Sequence, residues 1–257
     1  MEAHAFMGLW KQDQKRPNIY DYRRYISGTI YPSVEELVEK WGSYQNAFIE
    51  FQTLYRKSVY PVVEISDYLL GCLITHAKLV RNIRAGGRSF LRFVLQDREH
   101  IEHIRAMLGE TSVYRNTRRT SSWYVRCYDE SLLGFWEFHD LNEHPEAAFR
   151  DTADFVRGYI ETHSHFGLTP GNKRRLTLVG PLVPQCRDFL VKLGASKTTV
   201  FHANRDEKLK RMNVHSMSLV KVRDALYPDG CDYYAPIREE IYKVFDGRQR
   251  KKSDRPR

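Results

Sequence analysis

The chain carries one apolar pattern twice. YLLGCLITHAKL at 68–79 and FVRGYIETHSHF at 155–166 each begin with an aromatic residue, place glycine fourth and place histidine ninth. A duplicated unit folds twice into the same arrangement, and its copies can pair about a pseudo-two-fold axis, which leaves few architectures open. The elements after each pattern agree with duplication. The first copy runs from an apolar helix over 66–76 into strand-like KLVRNIR and SFLRFVLQ, a helix DREHIEHIRAMLG, strand-like SVYRNTRR and SSWYVRCYD, and a helix SLLGFWEFHD. The second runs from DTADFVRGYIETH through strand-like RLTLVG to a helix VPQCRDFLVKLG, then strand-like TTVFHAN and MNVHSMSLV, and a helix VRDALY. Each copy reads as helix, two strands, helix, two strands, helix. We expect an α+β fold, a pseudo-two-fold pair of αββαββα repeats over 66–150 and 151–245.

Residues 1–56 read differently, as a small all-helical domain of short helices separated by turn signals. Ser33 and Glu36 form a capping box behind Pro32, and Val34, Leu37, Val38 and Trp41 follow at helical spacing until Gly42. Ser43 is placed to cap a further helix with Ala47, Phe48 and Phe51 as its apolar stripe. This pattern suits a helix-turn-helix, and equally a helical hairpin packed on the main domain. TLYRKSVYPVVEI at 53–65 shows no clear helical stripe and contains Pro61, so it reads as a connector, with 57–65 as the linker. The basic stretch DGRQRKKSDRPR, 246–257, reads as a disordered tail able to touch phosphate non-specifically.

Forty-one Lys and Arg against thirty-two Asp and Glu leave a formal charge of +9, which favours a polyanionic partner. The strands place much of that charge. Arg81, Arg84, Arg88, Arg92, Arg115, Arg118, Arg119 and Arg126 interrupt the apolar residues of the first copy. Arg174, Arg175, His202, Arg205, Lys208, Lys210 and Arg211 do so in the second. Alternation puts apolar residues on one sheet face and these polar ones on the other, a surface that can lie on double-stranded DNA. The ordinary alternative is a solvated sheet face. Cys72, Cys127, Cys186 and Cys231 are widely spaced with no C-x-x-C pair, and neither a secretory leader nor a run of membrane-spanning length is present. We therefore expect a cytoplasmic protein with free thiols and no membrane partner. His100 and His103 read as a polar helix face.

With both copies in view, the chain resembles the LAGLIDADG homing endonucleases in their single-chain, two-repeat form, over residues 66–245. The resemblance rests on YLLGCLITHAKL and FVRGYIETHSHF, on the F-x-R-G-Y form of the second, and on the closing stretch LYPDGCDYYAPIREEI. The N-terminal segment resembles a helix-turn-helix-like module that accompanies such endonucleases. It carries Pro17 and Tyr20, Pro32-Ser33, and Trp41-Gly42-Ser43-Tyr44 with Ala47. The resemblance implies a monomer with internal pseudo-symmetry whose signature helices cross at Gly71 and Gly158. It also implies that the helix ends bring one carboxylate from each copy to the DNA, where divalent ions activate water.

Those two slots hold His76 and His163 here, followed by Ala77 and Ser164 in place of glycines. Glu161 occupies the earlier acidic slot, which is not the metal ligand, and Ile74 occupies it in the first copy. An imidazole pair is a poor site for Mg²⁺, a hard ion that prefers oxygen. The leading reading is a degenerate, catalytically inactive endonuclease that binds a specific DNA sequence without a cofactor and serves as a transcriptional regulator or repressor. In it, protonated His76 and His163 contact phosphate directly. The alternative is a metal-dependent endonuclease, or a metal-responsive DNA binder, holding Mn²⁺, Zn²⁺ or Ni²⁺ at His76 and His163 with His165 as a third ligand. A plain scaffold role, with the histidines as remnants, is the third.

Overall fold

The structure is a computed structural model that describes residues 19–59, 62–81, 89–110, 112–116, 121–168, 174–196, 200–202, 209–215, 223–234 and 236. The helices are α1 (Ile19–Ile26), α2 (Val34–Trp41), α3 (Tyr44–Val59), α4 (Asp67–Leu73), α5 (Arg98–Met107), α6 (Glu130–Phe138), α7 (Ala153–His163), α8 (Val183–Lys192) and α9 (Arg223–Leu226). The strands are β1 (Ala77–Val80), β2 (Phe90–Leu95), β3 (Val113–Asn116), β4 (Ser122–Cys127), β5 (Ser164–Leu168), β6 (Arg174–Gly180), β7 (Val200–His202) and β8 (Lys210–His215). They form two four-stranded sheets, ordered β1-β2-β4-β3 and β5-β6-β8-β7. The same order in both halves is the expected duplication, and the α+β class holds.

The chain divides into two compact units, one of the described residues within 1–64, 78–92 and 126–140, the other of those within 65–77, 93–125 and 141–257. In the first unit, α2 begins with the expected capping box. The Glu36 amide donates to Ser33 Oγ at 3.2 Å, and the Ser33 amide donates to Glu36 Oε2 at 2.6 Å. Gly42 ends the helix in the left-handed region at φ 76°, its amide on the Val38 carbonyl. Tyr22, Val34, Leu37, Ala47, Phe48 and Phe51 form the small core of α1–α3.

Residues 53–59 are not a connector; they continue α3. The stripe is hard to see because two of the buried positions are polar. Thr53 and Arg56 are each 3 % exposed, and both face α6. Thr53 Oγ1 donates to Glu137 Oε1 at 3.1 Å, and Arg56 Nε donates to Glu130 Oε2 at 2.5 Å.

In the second unit the signature helices α4 and α7 pack along their length. A Cβ added at Gly71 would overlap the Phe155 carbonyl oxygen and lie 3.0 Å from the Tyr159 nitrogen. One added at Gly158 would overlap the Tyr68 carbonyl oxygen and lie 3.0 Å from the Cys72 nitrogen. Glycine is required at both because backbone meets backbone there. Ser66 and Thr152 cap the two helices through the Leu69 and Phe155 amides, each at 3.2 Å. The helices end differently. α7 stays regular through His163, whereas α4 stops at Leu73 and the chain turns through Thr75 at φ 71°. The strand β5 follows α7 directly and is the first strand of the second copy, which SHFGL, short and weakly patterned, does not mark.

Candidate functional site

The two histidines of the repeated pattern meet at the ends of α4 and α7, with ring centroids 4.3 Å apart. Each ring bonds to the threonine that precedes the other histidine. His76 Nε2 lies 3.0 Å from the Thr162 carbonyl oxygen, and His163 Nε2 bonds to Thr75 Oγ1. His163 Nδ1 lies 3.1 Å from the Tyr159 carbonyl oxygen. A carbonyl can only accept, so Nδ1 of His163 carries its proton and Nε2 accepts from the Thr75 hydroxyl. By the same reasoning His76 is protonated at Nε2. Tyr159 stacks on His163 at 3.9 Å, and Phe93 meets His76 edge-on at 6.1 Å.

Burial lowers the pKa of both rings; His76 adds to the fall at His163, while the carbonyl hydrogen bonds oppose it. Both imidazoles are neutral at neutral pH, so burial works against the protonated phosphate contacts expected from sequence. Thr75 is a β-branched residue held in the left-handed region, a conformation costing about 1–3 kcal/mol that persists only where surrounding contacts impose it.

No group of three or more His, Cys, Asp or Glu side chains able to hold a metal ion occurs among the described residues. His165 therefore does not join the pair. It lies on β5, exposed, paired in register with Thr177. The arrangement is two neutral imidazoles satisfied by protein partners, where hard-ion chemistry would need carboxylates.

Two residues before His163, Glu161 is buried at the centre of a polar cluster that no local sequence pattern marks. Its Oε2 accepts from the Tyr68 hydroxyl at 2.5 Å and from the Tyr234 amide at 2.8 Å. Burial pushes this carboxyl up to about 7, against those two hydrogen bonds and the charge of Arg157. Arg157, fully buried, donates to the carbonyls of Asp232 and Leu226 and pairs with Asp154. Tyr234 lies flat on His100 at 4.1 Å, and its hydroxyl donates to Asp97, the cap of α5. His100 is thus buried rather than part of a polar face, and burial drives its pKa down to about 4.

Strand alternation sorts the expected basic residues. In the second sheet Leu176, Leu178, Met212 and Val214 face the core, and Arg175, Thr177, Arg211 and Asn213 face the other way. Thr177 Oγ1 donates to Asn213 Oδ1 at 3.0 Å. The Nε atoms of Arg175 and Arg211 are buried without a hydrogen-bond partner among the described residues. In the first sheet Arg92 alternates with Leu91 and Phe93, and Arg126 with Val125 and Cys127, with the Arg126 guanidinium 5.1 Å over Phe90.

Two of the expected residues fall on the face opposite the other strand arginines. Arg115 pairs in register with Trp123 and lies over its ring, which Arg98 of α5 also covers, at 5.8 and 4.8 Å. Lys210 shares the parity of Met212 and Val214, opposite Arg211. Arg81 is half-exposed and ion-paired with Glu137 at 3.6 Å. Arg84, Arg88, Arg118, Arg119, Arg205 and Lys208, and the Arg174 side chain, lie outside the described residues. No described helix is long and apolar enough to cross a membrane, and the four cysteines are free.

No family model matches the sequence, and no curated protein does. Solved structures do. A mesophilic variant of the homing endonuclease I-DmoI superposes with a TM-score of 0.51 at 14 % identity, over 68 % of this chain and 95 % of that one. The LAGLIDADG meganuclease I-AabMI bound to uncleaved DNA gives a TM-score of 0.47 at 13 % identity, over 73 % and 93 % of the two chains. The LAGLIDADG homing endonuclease I-GzeII in complex with its DNA target gives 0.45 at 9 % identity, over 75 % and 94 %. With its paired glycine-crossed helices and two sheets of identical order, the chain has the fold of the LAGLIDADG homing endonucleases.

Proposed function

We propose that this protein binds a specific double-stranded DNA sequence as a cytoplasmic monomer, does not cleave it with Mg²⁺, and acts as a transcriptional regulator, most simply a repressor. One observation carries the reading. The helix ends that would present two carboxylates in an active enzyme of this fold present His76 and His163, neutral and hydrogen-bonded to Thr162 and Thr75. Binding is supported by the charge of +9 and by the outward Arg175 and Arg211, whose Nε donors have no protein partner among the described residues. The α1–α3 segment, held to α6 by buried polar contacts, adds a helix-turn-helix-like element as a second means of meeting DNA.

The second reading, a Mn²⁺, Zn²⁺ or Ni²⁺ site, draws on the closeness of the two rings. It requires His163 to exchange its bond with Thr75 for the ion. Selecting bound duplexes from a random pool in the presence of EDTA tests the proposal. Enrichment of one site, with no cleavage of it in Mg²⁺, Mn²⁺ or Zn²⁺, is the expected result. Binding that disappears in EDTA and returns with Zn²⁺ or Mn²⁺ puts the metal reading in its place. Cleavage lost in His76→Ala or His163→Ala removes the inactive-enzyme reading altogether.

A further inference from the structure

Within the first unit four charges meet between α3 and α6. Arg56 forks onto Glu130, Nε to Oε2 at 2.5 Å and an NH2 nitrogen to Oε1 at 3.4 Å. Its other terminal nitrogen lies 3.6 Å from Glu137 Oε1. Arg81, just past β1, reaches the same Glu137 oxygen with its Nε, also at 3.6 Å. Glu137 has a side chain 0 % exposed, and its Oε2 has no hydrogen-bond partner among the described residues. Arg81, by contrast, has a side chain 45 % exposed.

Two carboxylates face two guanidiniums, with the Lys57 ammonium acting on Glu137 from farther off. Arg56 makes two hydrogen bonds to Glu130 and divides its charge between Glu130 and Glu137. Arg56 is the larger counter-charge on Glu137 but is shared with Glu130, and Arg81 is the second, the one that water can reach. Burial pushes the Glu137 carboxyl up, while Arg56, Arg81, the Thr53 hydroxyl and Lys57 pull it back. A buried carboxylate that loses its counter-charge is costly, whereas one exposed to water is not. Thr53 and Arg56 of α3 lie against Glu137 where α3 meets α6, and undocking α3 would admit water to it.

We propose that Arg81 couples DNA binding to the docking of α3: a phosphate that draws Arg81 outward leaves Glu137 under-compensated beneath Thr53 and Arg56, and so loosens the helix. This rests on the DNA-binding reading above. The coupling is reciprocal, so firm docking of α3 weakens the hold of Arg81 on phosphate to the same degree. Arg81 is then a contact shared between two partners, an internal carboxylate and an external phosphodiester. The N-terminal segment acts as a responsive part of the molecule instead of a passive tether.

Amide hydrogen exchange on the full chain, with and without a pool of random-sequence duplex DNA at low salt, tests this. Exchange over 51–59 is expected to quicken about fivefold on binding, the lower end of measured coupling free energies. Arg81→Ala should quicken the same amides without DNA. Glu137→Gln, which removes the buried charge, should abolish both effects. A duplex that binds by mobility shift but leaves 51–59 unchanged or slower overturns the coupling and spares the DNA reading. Absence of any shift overturns both. Arg81→Ala, at a half-exposed position, keeps the test open if Glu137→Gln does not fold.

Discussion

Thr75 of the first copy donates its hydroxyl to Nε2 of His163 in the second, and His76 reaches back to the carbonyl of Thr162. The ends of the two signature helices are therefore tied by a reciprocal pair of hydrogen bonds that needs no ion. The exchange is not symmetric in detail, because Thr75 offers its side chain from a left-handed backbone and Thr162 offers its carbonyl from within a helix.

Thr75→Val keeps the shape and the backbone strain but removes the donor, leaving His163 Nε2 unsatisfied in a half-buried place. A loss of about 1–3 kcal/mol is expected. Thr75→Ser should retain most of the stability. Urea unfolding decides it. A valine variant as stable as the wild type means that the hydroxyl does not hold the helix ends together.

Gly71→Ala and Gly158→Ala each drive a methyl group into a backbone carbonyl of the facing helix. Neither carbonyl can swing away as a side chain would, so the helices must separate. Each substitution should cost about 1–3 kcal/mol or more. Gly109→Ala, at φ 68° with nothing within 4 Å of the added carbon, strains only the backbone and should cost about 1 kcal/mol. Thermal unfolding of the three variants should rank Gly109→Ala as the mildest.

The glycines and histidines were legible because each occurs twice at one spacing, and repetition separates a constrained position from a chance one. The polar contacts were not. Thr53 and Arg56 looked like the start of a connector because the partners that make their burial tolerable, Glu137 and Glu130, lie far along the chain. Glu161 was visible only as a residue in a known slot. Its depth comes from Tyr68, Arg157 and the 226–234 stretch folding over it, which no local pattern records. Arg115 and Lys210 were misplaced by one step of strand parity, which a run of mixed residues leaves ambiguous.

Glu161 gives the chain a pH dependence of definite sign. Its carboxyl is raised from the ordinary 4.5 to about 7, so the native state holds a proton that the unfolded state has released. That contribution to stability is complete below about pH 4.5 and is lost as pH rises through about 7. Wild-type protein should lose about 2–3 kcal/mol relative to Glu161→Gln between about pH 5 and pH 8. His76 and His163 act in the other direction, stabilising above their ordinary value of 6.5 and failing as pH falls, but both proteins share them. Chemical unfolding of the pair across that range gives the difference directly. Parallel curves would mean that Glu161 is ionised in the folded protein at every pH tested.

The sorting of arginines by strand parity makes the last prediction the most direct test of the surface. Arg175 and Arg211 share one face of the second sheet with Thr177 and Asn213, while Lys210 lies on the face of Met212. If that polar face lies on DNA, Arg175→Ala and Arg211→Ala should each reduce the slope of log affinity against log salt by about one, the value of one lost phosphate contact. Lys210→Ala and Arg115→Ala remove the same charge from the opposite faces, and should lower affinity only slightly with the slope unchanged. All four variants alter net charge equally, so a general electrostatic effect would shift them together. Equal slopes across the four, measured by fluorescence anisotropy on one duplex, would reject this face as the one that meets the DNA.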